Sequence, residues 1–379
     1  MIRRILLALS LPLCACTKMG GLQWGTSNTA MFSQGDSALA PASDMLTTSC
    51  ATRSDFDACI YLKNPVAQRG AAVSESDLTT LLQFGVKIRD LEPTGNLQNA
   101  HFQVRTLNTP RLQVVEAAQF KADFSESTSY IEQVMAYYWA DRVFEYLAPR
   151  LGASRLPVQG LTIYADDVFT GFSSRAFAIS LEKISGQIPK ALSGEVVVQL
   201  LGQALAHSLS RGKVFDSQNS AQHNSCGMSN KGCCTTASGC SNALASSFGD
   251  YLAGIMFPNQ PVLGETVADL PSGQSVCGMN RDLQALSSSS EVAIFSTCGG
   301  NITLEGSWYA SLWWSIRTQA EANQPGASQD IDILFFDHAQ SWTATSTFND
   351  AKQAAITLAT NYKSGQYLTL IQNVLGSVN

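Results

Sequence analysis

Hydrophobic and polar positions follow helical spacing in some parts of the chain and strand-like spacing in others. Apolar residues recur at helical spacing over residues 129–147 and 193–211, which predicts a helix in each stretch. Ser193 is the predicted N-cap of the second helix. Two shorter segments rich in β-formers, 161–165 and 176–181, predict strands that precede that helix.

Weaker patterns predict the remaining elements. Residues 75–84 predict a short helix, and 101–104 and 112–115 predict two strands joined by a turn. Residues 348–360 and 367–378 predict the helices that close the chain. A chain of this length has room for a sizeable core made of two closely packed subdomains.

The start of the chain resembles a bacterial lipoprotein signal. Two arginines precede an apolar run over 5–13 that is too short to span a bilayer, and the tetrad Leu-Cys-Ala-Cys ends at Cys16. We therefore expect a signal peptide over 1–15, lipidation of Cys16, and a flexible tether over 16–48 that is rich in small and polar residues. The alternative is a cytosolic chain with a chance apolar start.

Composition agrees with export and excludes one class of partner. Charged residues make up 14% of the chain, against roughly 25% in ordinary soluble domains. A net charge of −6 with 24 basic residues leaves no basic stripe for phosphate backbones, so nucleic acid is excluded as a partner. The expected location is the cell envelope, with the membrane bound through the lipid on Cys16. The residue after Cys16 is not acidic, which favours the outer membrane.

The cysteines favour an oxidising compartment. Beyond Cys14 and Cys16 the chain has an even number, which in an exported protein suggests disulfides. The candidates are Cys50, Cys59, Cys226, Cys233, Cys234, Cys240, Cys277 and Cys298. Cys50 with Cys59 is the simplest pair, and the connectivity of the others stays open. The loop 223–240, which contains His223, is either stapled by disulfides or holds a structural zinc.

The stretch 193–211 resembles the active-site helix of thermolysin-like and fungalysin-like zinc peptidases. In those families small apolar residues precede a His-Glu-x-Gly-His motif. Aligned on the valines 196–198, that motif falls on the pentapeptide Gln199-Leu200-Leu201-Gly202-Gln203. The glycine is kept, but Gln199 and Gln203 replace both histidines and Leu200 replaces the glutamate.

These replacements remove the chemistry that the motif supplies. A neutral amide oxygen is a poor zinc ligand, and Leu200 cannot accept a proton from a metal-bound water. The stretch 242–257 resembles the one that gives the third ligand, and there Ser246 replaces the ligand glutamate. Asp250 matches an aspartate that orients a ligand histidine in the family, so here we expect it to bond Gln203 or a helix cap instead.

Other anchors extend the resemblance over roughly 129–379. Trp139 takes the place of a family histidine, 281–286 resembles a short arginine segment, and 305–317 resembles a helix near the cleft. The resemblance implies an α+β, thermolysin-like (gluzincin) architecture, with a small β-sheet next to the former active-site helix and a mainly helical C-terminal part.

The implied domain division is an N-terminal region over 49–125 and a metallopeptidase-like domain over 126–379. The resemblance also implies that the chain needs no cofactor and binds no metal at this site.

Three functions remain open at this stage. The first is a lipid-anchored pseudo-peptidase that binds a peptide or envelope protein without hydrolysing it. The second is an active hydrolase whose catalytic residues stand at other positions than in the family; the best candidates are His207, His223 and Asp250. The third is a structural envelope lipoprotein without a ligand. Residues expected to line the former cleft are His207, His223, Tyr251 and Trp308.

Overall fold

The computed structural model describes residues 45–49, 58–62, 64–69, 73–81, 83–92, 96–107, 128–151, 160–184, 188–214, 240–257, 281–289 and 302–376. The predicted signal 1–15, most of the tether 16–48, the strand 112–115 and the loop through His223 therefore lie outside the described residues. The described part contains no helix that is long and apolar enough to cross a bilayer.

The strands form two small sheets. Their bounds are β1 Met45–Ser49, β2 Ala58–Ile60, β3 Phe84–Val86, β4 Phe102–Arg105, β5 Leu161–Asp167, β6 Gly171–Ser173 and β7 Ala178–Glu182. The first sheet has the order β1-β3-β2, and both of its pairings are antiparallel. β1 begins inside the range predicted as tether, because it pairs with β3.

The second sheet has the order β4-β5-β7-β6. β4, β5 and β7 run parallel, with Val104 opposite Ile163 and Ile163 opposite Ile179, while β6 returns antiparallel to β7. Continuous apolar runs are typical of parallel strands buried on both faces. The predictions of strands at 161–165 and 176–181 are confirmed by β5 and β7. β4 pairs with β5, and its predicted hairpin partner 112–115 lies outside the described residues.

Helices make up most of the rest. Their bounds are α1 Pro65–Arg69, α2 Thr128–Leu151, α3 Gly194–Leu209, α4 Cys240–Met256, α5 Leu283–Leu286, α6 Ile302–Asn323, α7 Ala327–Ala339, α8 Phe348–Asn361 and α9 Leu368–Gly376. The predicted helices 129–147 and 193–211 are confirmed as α2 and α3. Ser193 caps α3 as predicted, because its Oγ accepts a hydrogen bond from the Val196 N–H.

The core is built around α4. Every residue of α4 is buried, between α3 on one side and α6 on another. α3 in turn packs on β6 and β7, so the small sheet lies next to it. The observed fold is α+β, with a small sheet beside α3 and a mainly helical C-terminal part, as the fold prediction states.

Candidate functional site

The pentapeptide 199–203 lies where α3 and α4 cross. A Cβ added to Gly249 would stand 2.3 Å from the backbone oxygen of Gln199, and one added to Gly202 would stand 2.5 Å from the Cα of Gly249. Only glycines permit so close an approach of two helix backbones. The crossing therefore places Gln199 of α3 directly against α4.

A buried arginine bonds residues of three helices, α3, α4 and α6, at this crossing. Arg281 donates from Nη1 to Gln199 Oε1 at 3.3 Å and from Nε to Ser307 Oγ at 3.2 Å. Its Nη2 forms an ion pair with Asp250, and Ser307 donates to the other oxygen of that carboxylate. We call Arg281, Asp250, Ser307 and Gln199 the arginine network.

The arginine network is closed to solvent. Asp250 and Ser307 are 0% exposed, and Arg281 is 3% exposed. Burial lowers the pKa of Arg281 to about 9, so the guanidinium keeps its proton at neutral pH. Each charge of the pair has its partner within the network, which is the condition for burying charges in a protein interior.

The donor set around Gln199 does not fit zinc. Gln199, Gln203 and Ser246 are neutral, and the Ser246 Oγ is buried without a hydrogen-bond partner. A zinc bound about 2.1 Å from Gln199 Oε1 would lie within about 5.5 Å of the guanidinium nitrogen that already donates to that oxygen. Within the described ranges, no three His, Cys, Asp or Glu side chains form a group that could hold a metal.

The position of the general base is equally inert. Leu200 is 5% exposed and belongs to the apolar core. Gln203 is buried one turn further along α3, and Asp250 bonds Arg281 and Ser307 in place of the predicted Gln203 or helix cap. Leu200 therefore supplies no proton acceptor, and the carboxylate of Asp250 is already bound to Arg281 and Ser307.

The prediction that Tyr251 and Trp308 line an open cleft is wrong. Both are 0% exposed: Tyr251 lies on α4, which is buried along its whole length, and Trp308 lies on α6, which packs on α4. The Tyr251 hydroxyl donates to Asp332 Oδ1 at 2.7 Å, and Trp308 Nε1 donates to the backbone oxygen of Ser289 at 2.9 Å. Both side chains hold the core together.

Asp332 is the centre of a second buried cluster. It accepts hydrogen bonds from Tyr251, from the Tyr146 hydroxyl at 2.5 Å and from Arg317 Nε at 3.1 Å. Burial, followed by the charge of Asp332, raises the pKa of both tyrosines well above the ordinary value. The cluster ties α2, α4, α6 and α7 together.

His207 is not brought together with Asp250. It lies eight residues after Gln199, or about 12 Å along the axis of α3. Its Nδ1 is 2.6 Å from the backbone oxygen of Val214, and its ring packs near Phe172 and Phe177. The two residues that the relocated-hydrolase hypothesis needs in one site therefore have separate partners, and His223 lies outside the described residues.

The described cysteines are Cys59 and Cys240. Both are fully buried and disulfide-bonded. The pairing of Cys59 with Cys50, and the choice between disulfides and zinc in the loop 223–240, stay predictions.

Sequence reasoning missed Ser307 and Asp332 and gave Arg281 no role. The sequence did offer one signal: ionisable residues that stand among apolar ones. In a chain with only 14% charged residues, Asp332 stands between two isoleucines and Arg317 follows an aromatic-rich run. An ionisable residue inside an apolar helix pattern is buried only with a partner, so such residues can be searched for as pairs.

Comparisons with known proteins give distant similarities among solved structures alone. No protein-family model and no curated protein match the chain. Among solved structures, the chain is similar to the precursor of protealysin, a metalloproteinase from Serratia proteamaculans. The identity is 11% and the TM-score 0.47, over 76% of this chain and 90% of that one. At this distance the similarity concerns the fold alone and gives no residue of this chain a role.

Proposed function

We propose that this chain is an exported, lipid-anchored pseudo-peptidase that binds a peptide or protein partner without hydrolysing it. The observation that carries the non-hydrolytic part is the arginine network. A guanidinium bonds the side chain that stands where the first zinc ligand is expected, and the neighbouring carboxylate is bound to the same cation. Removing ligands and base from a zinc hydrolase removes both its Lewis acid and its nucleophile.

The edge of the four-stranded sheet supports the binding part. β6 is the edge strand of its sheet and runs beside α3, with the Phe172 ring 5.7 Å from that of His207. No described strand pairs with the outer side of β6. An edge strand offers unpaired N–H and C=O groups that an extended peptide can bind by strand addition. Recognition of this kind needs no metal.

The export and the lipid are supported by the sequence of 1–16. Two or more acyl chains on Cys16 would hold the protein on a bilayer, whereas a single chain gives only marginal binding. The tether that follows would leave the folded part free to meet a partner near the membrane.

A peptide library tests both halves of the proposal. The mature protein is incubated with extended peptides of random sequence, and bound and cleaved peptides are identified by mass spectrometry. We expect bound peptides, no cleavage, and slower hydrogen exchange of the amides of residues 171–173. Cleavage that a chelator abolishes would overturn the non-hydrolytic part. Absence of any bound peptide would overturn the binding part and favour a structural lipoprotein.

A further inference from the structure

The large apolar side chains that stand exposed in the described residues gather at one edge of the four-stranded sheet. They are Leu107 at 55%, Val168 at 74%, Phe169 at 50% and Ile184 at 42% exposure. Each follows the carboxyl end of a parallel strand, namely β4, β5 and β7, and parallel strands end at a common edge. We call these four residues the strand-end patch.

Hydrogen bonds hold the members of the patch side by side. The Leu107 N–H donates to Asp166 Oδ1 at 2.6 Å, which ties the chain after β4 to the end of β5. The Lys183 N–H donates to the Asp167 backbone oxygen at 2.9 Å, which ties the chain after β7 to the same strand end. The three strand ends that carry the apolar side chains are therefore neighbours.

Buried carboxylates fix the turn that carries the most exposed members. Asp167 is 6% exposed; its Oδ1 accepts from the Val168 N–H and its Oδ2 from Ser180 Oγ, both at 2.6 Å. The Glu182 N–H donates to Thr170 Oγ1 at 3.1 Å on the far side of the turn. Hydrogen bonds thus fix Asp167 and Thr170 on either side of Val168 and Phe169, and the turn between them exposes these two side chains to solvent.

We propose that the strand-end patch docks on the surface of the lipid bilayer that carries the lipid anchor. The inference rests on the proposed function for its occupant, since the predicted tether leads from the proposed lipid on Cys16 to β1, which begins at Met45. A flexible chain of that length spans about 30 Å on average, which holds the domain beside the bilayer at a high effective concentration. A small apolar patch is then enough for docking, because the anchor already holds the domain near the membrane and docking becomes an intramolecular step.

The shape and charge of the patch favour a bilayer over a protein partner. Its side chains are exposed beyond the strand ends, and an exposed Val–Phe pair suits insertion among headgroups. Two cations lie close to the patch in the chain, and both have partners: Lys183 pairs with Glu132 at 2.8 Å, and Arg105 Nε donates to Gln103 Oε1 at 2.9 Å. Docking is therefore driven by burial of apolar surface, so it should occur on neutral lipids and change little with salt.

Vesicle binding of the mature chain carrying Cys16→Ala tests this proposal, because the patch then acts without any lipid anchor. The probe is a vesicle of neutral phosphatidylcholine, and the readouts are co-flotation and hydrogen exchange of residues 166–170. We expect weak, salt-independent binding that Val168→Ser with Phe169→Ser reduces at least about 10-fold. The matched pair Val168→Leu with Phe169→Leu should keep the binding, because a bilayer accepts any apolar side chain.

Two results would overturn the proposal. One is absence of binding at millimolar lipid, and the other is equal binding by the serine and leucine pairs. Equal loss of binding in both pairs is one form of the second result, because a bilayer should accept leucine in place of valine and phenylalanine. A wild-type chain that carries no lipid on Cys16 would instead contradict the proposed anchor, and mass spectrometry detects that failure separately.

Discussion

Replacing Arg281 by methionine should destabilise the fold severely. Methionine keeps most of the length and apolar volume of the side chain but removes the cation. Asp250, which is 0% exposed, would keep Ser307 as a partner and lose its ion pair. Breaking a buried ion pair from one side costs about 3–5 kcal/mol, a large share of the roughly 5–15 kcal/mol that stabilises an ordinary domain.

The second substitution Asp250→Asn should restore part of that loss. An amide in place of the carboxylate removes the unpaired buried charge, so the double variant is expected to be more stable than Arg281→Met alone. Urea unfolding followed by circular dichroism gives the free energy of unfolding of each variant. Arg175→Met is the matched control, since Arg175 is exposed and surface substitutions usually change stability by less than about 0.5 kcal/mol.

The reasoning would be refuted if Arg281→Met unfolded at the same urea concentration as Arg175→Met. It would also be refuted if Asp250→Asn lowered the free energy of unfolding of the Arg281→Met protein by as much as it lowers that of the wild type. The two residues would then act independently.

Other predictions follow from the same structure. Gly249→Ala should cost at least about 1–3 kcal/mol by overpacking, because its Cβ would stand 2.3 Å from a backbone oxygen; Gly376→Ala, with nothing within 4 Å, should cost nothing, and thermal unfolding compares them. Burial, then the charge of Asp90, raises the pKa of Asp141 to about 7. The folded state thus holds that proton longer, and stability is lost as pH rises from about 4 to about 7. Asp141→Asn should therefore gain stability over the wild type at pH 8 and little at pH 4, which urea unfolding at both pH values checks. Mass spectrometry of the mature protein should find Cys16 as a lipid-bearing N-terminus, and an intact Met1 peptide would contradict the signal prediction.

Local patterns predicted the elements well where one strong period dominates. The helical spacing before Pro149 and after Ser193 indicated α2 and α3, and the β-formers before α3 indicated β5 and β7. These signals depend only on residues close together in the sequence. The predictions agree with the structure because the apolar face of each element is buried, as the pattern requires.

Contacts between distant elements were beyond such reasoning. The pattern of α4 did not reveal that it is buried all round, because that burial depends on the close approach of Gly202 to Gly249 and of Gly306 to α4. For the same reason Tyr251 was placed in a cleft. Asp250 found its partner in Arg281, 31 residues away along the chain, and no sequence period reports a pairing of that kind.

The zinc content of the mature protein tests the central claim most directly. The wild type and Gln199→Ala are incubated with excess Zn²⁺, passed through gel filtration, and analysed for metal. We predict equal zinc in both proteins, because the neutral side chains and the guanidinium around Gln199 leave no zinc site there. One zinc per chain in the wild type that is lost in Gln199→Ala would contradict the account.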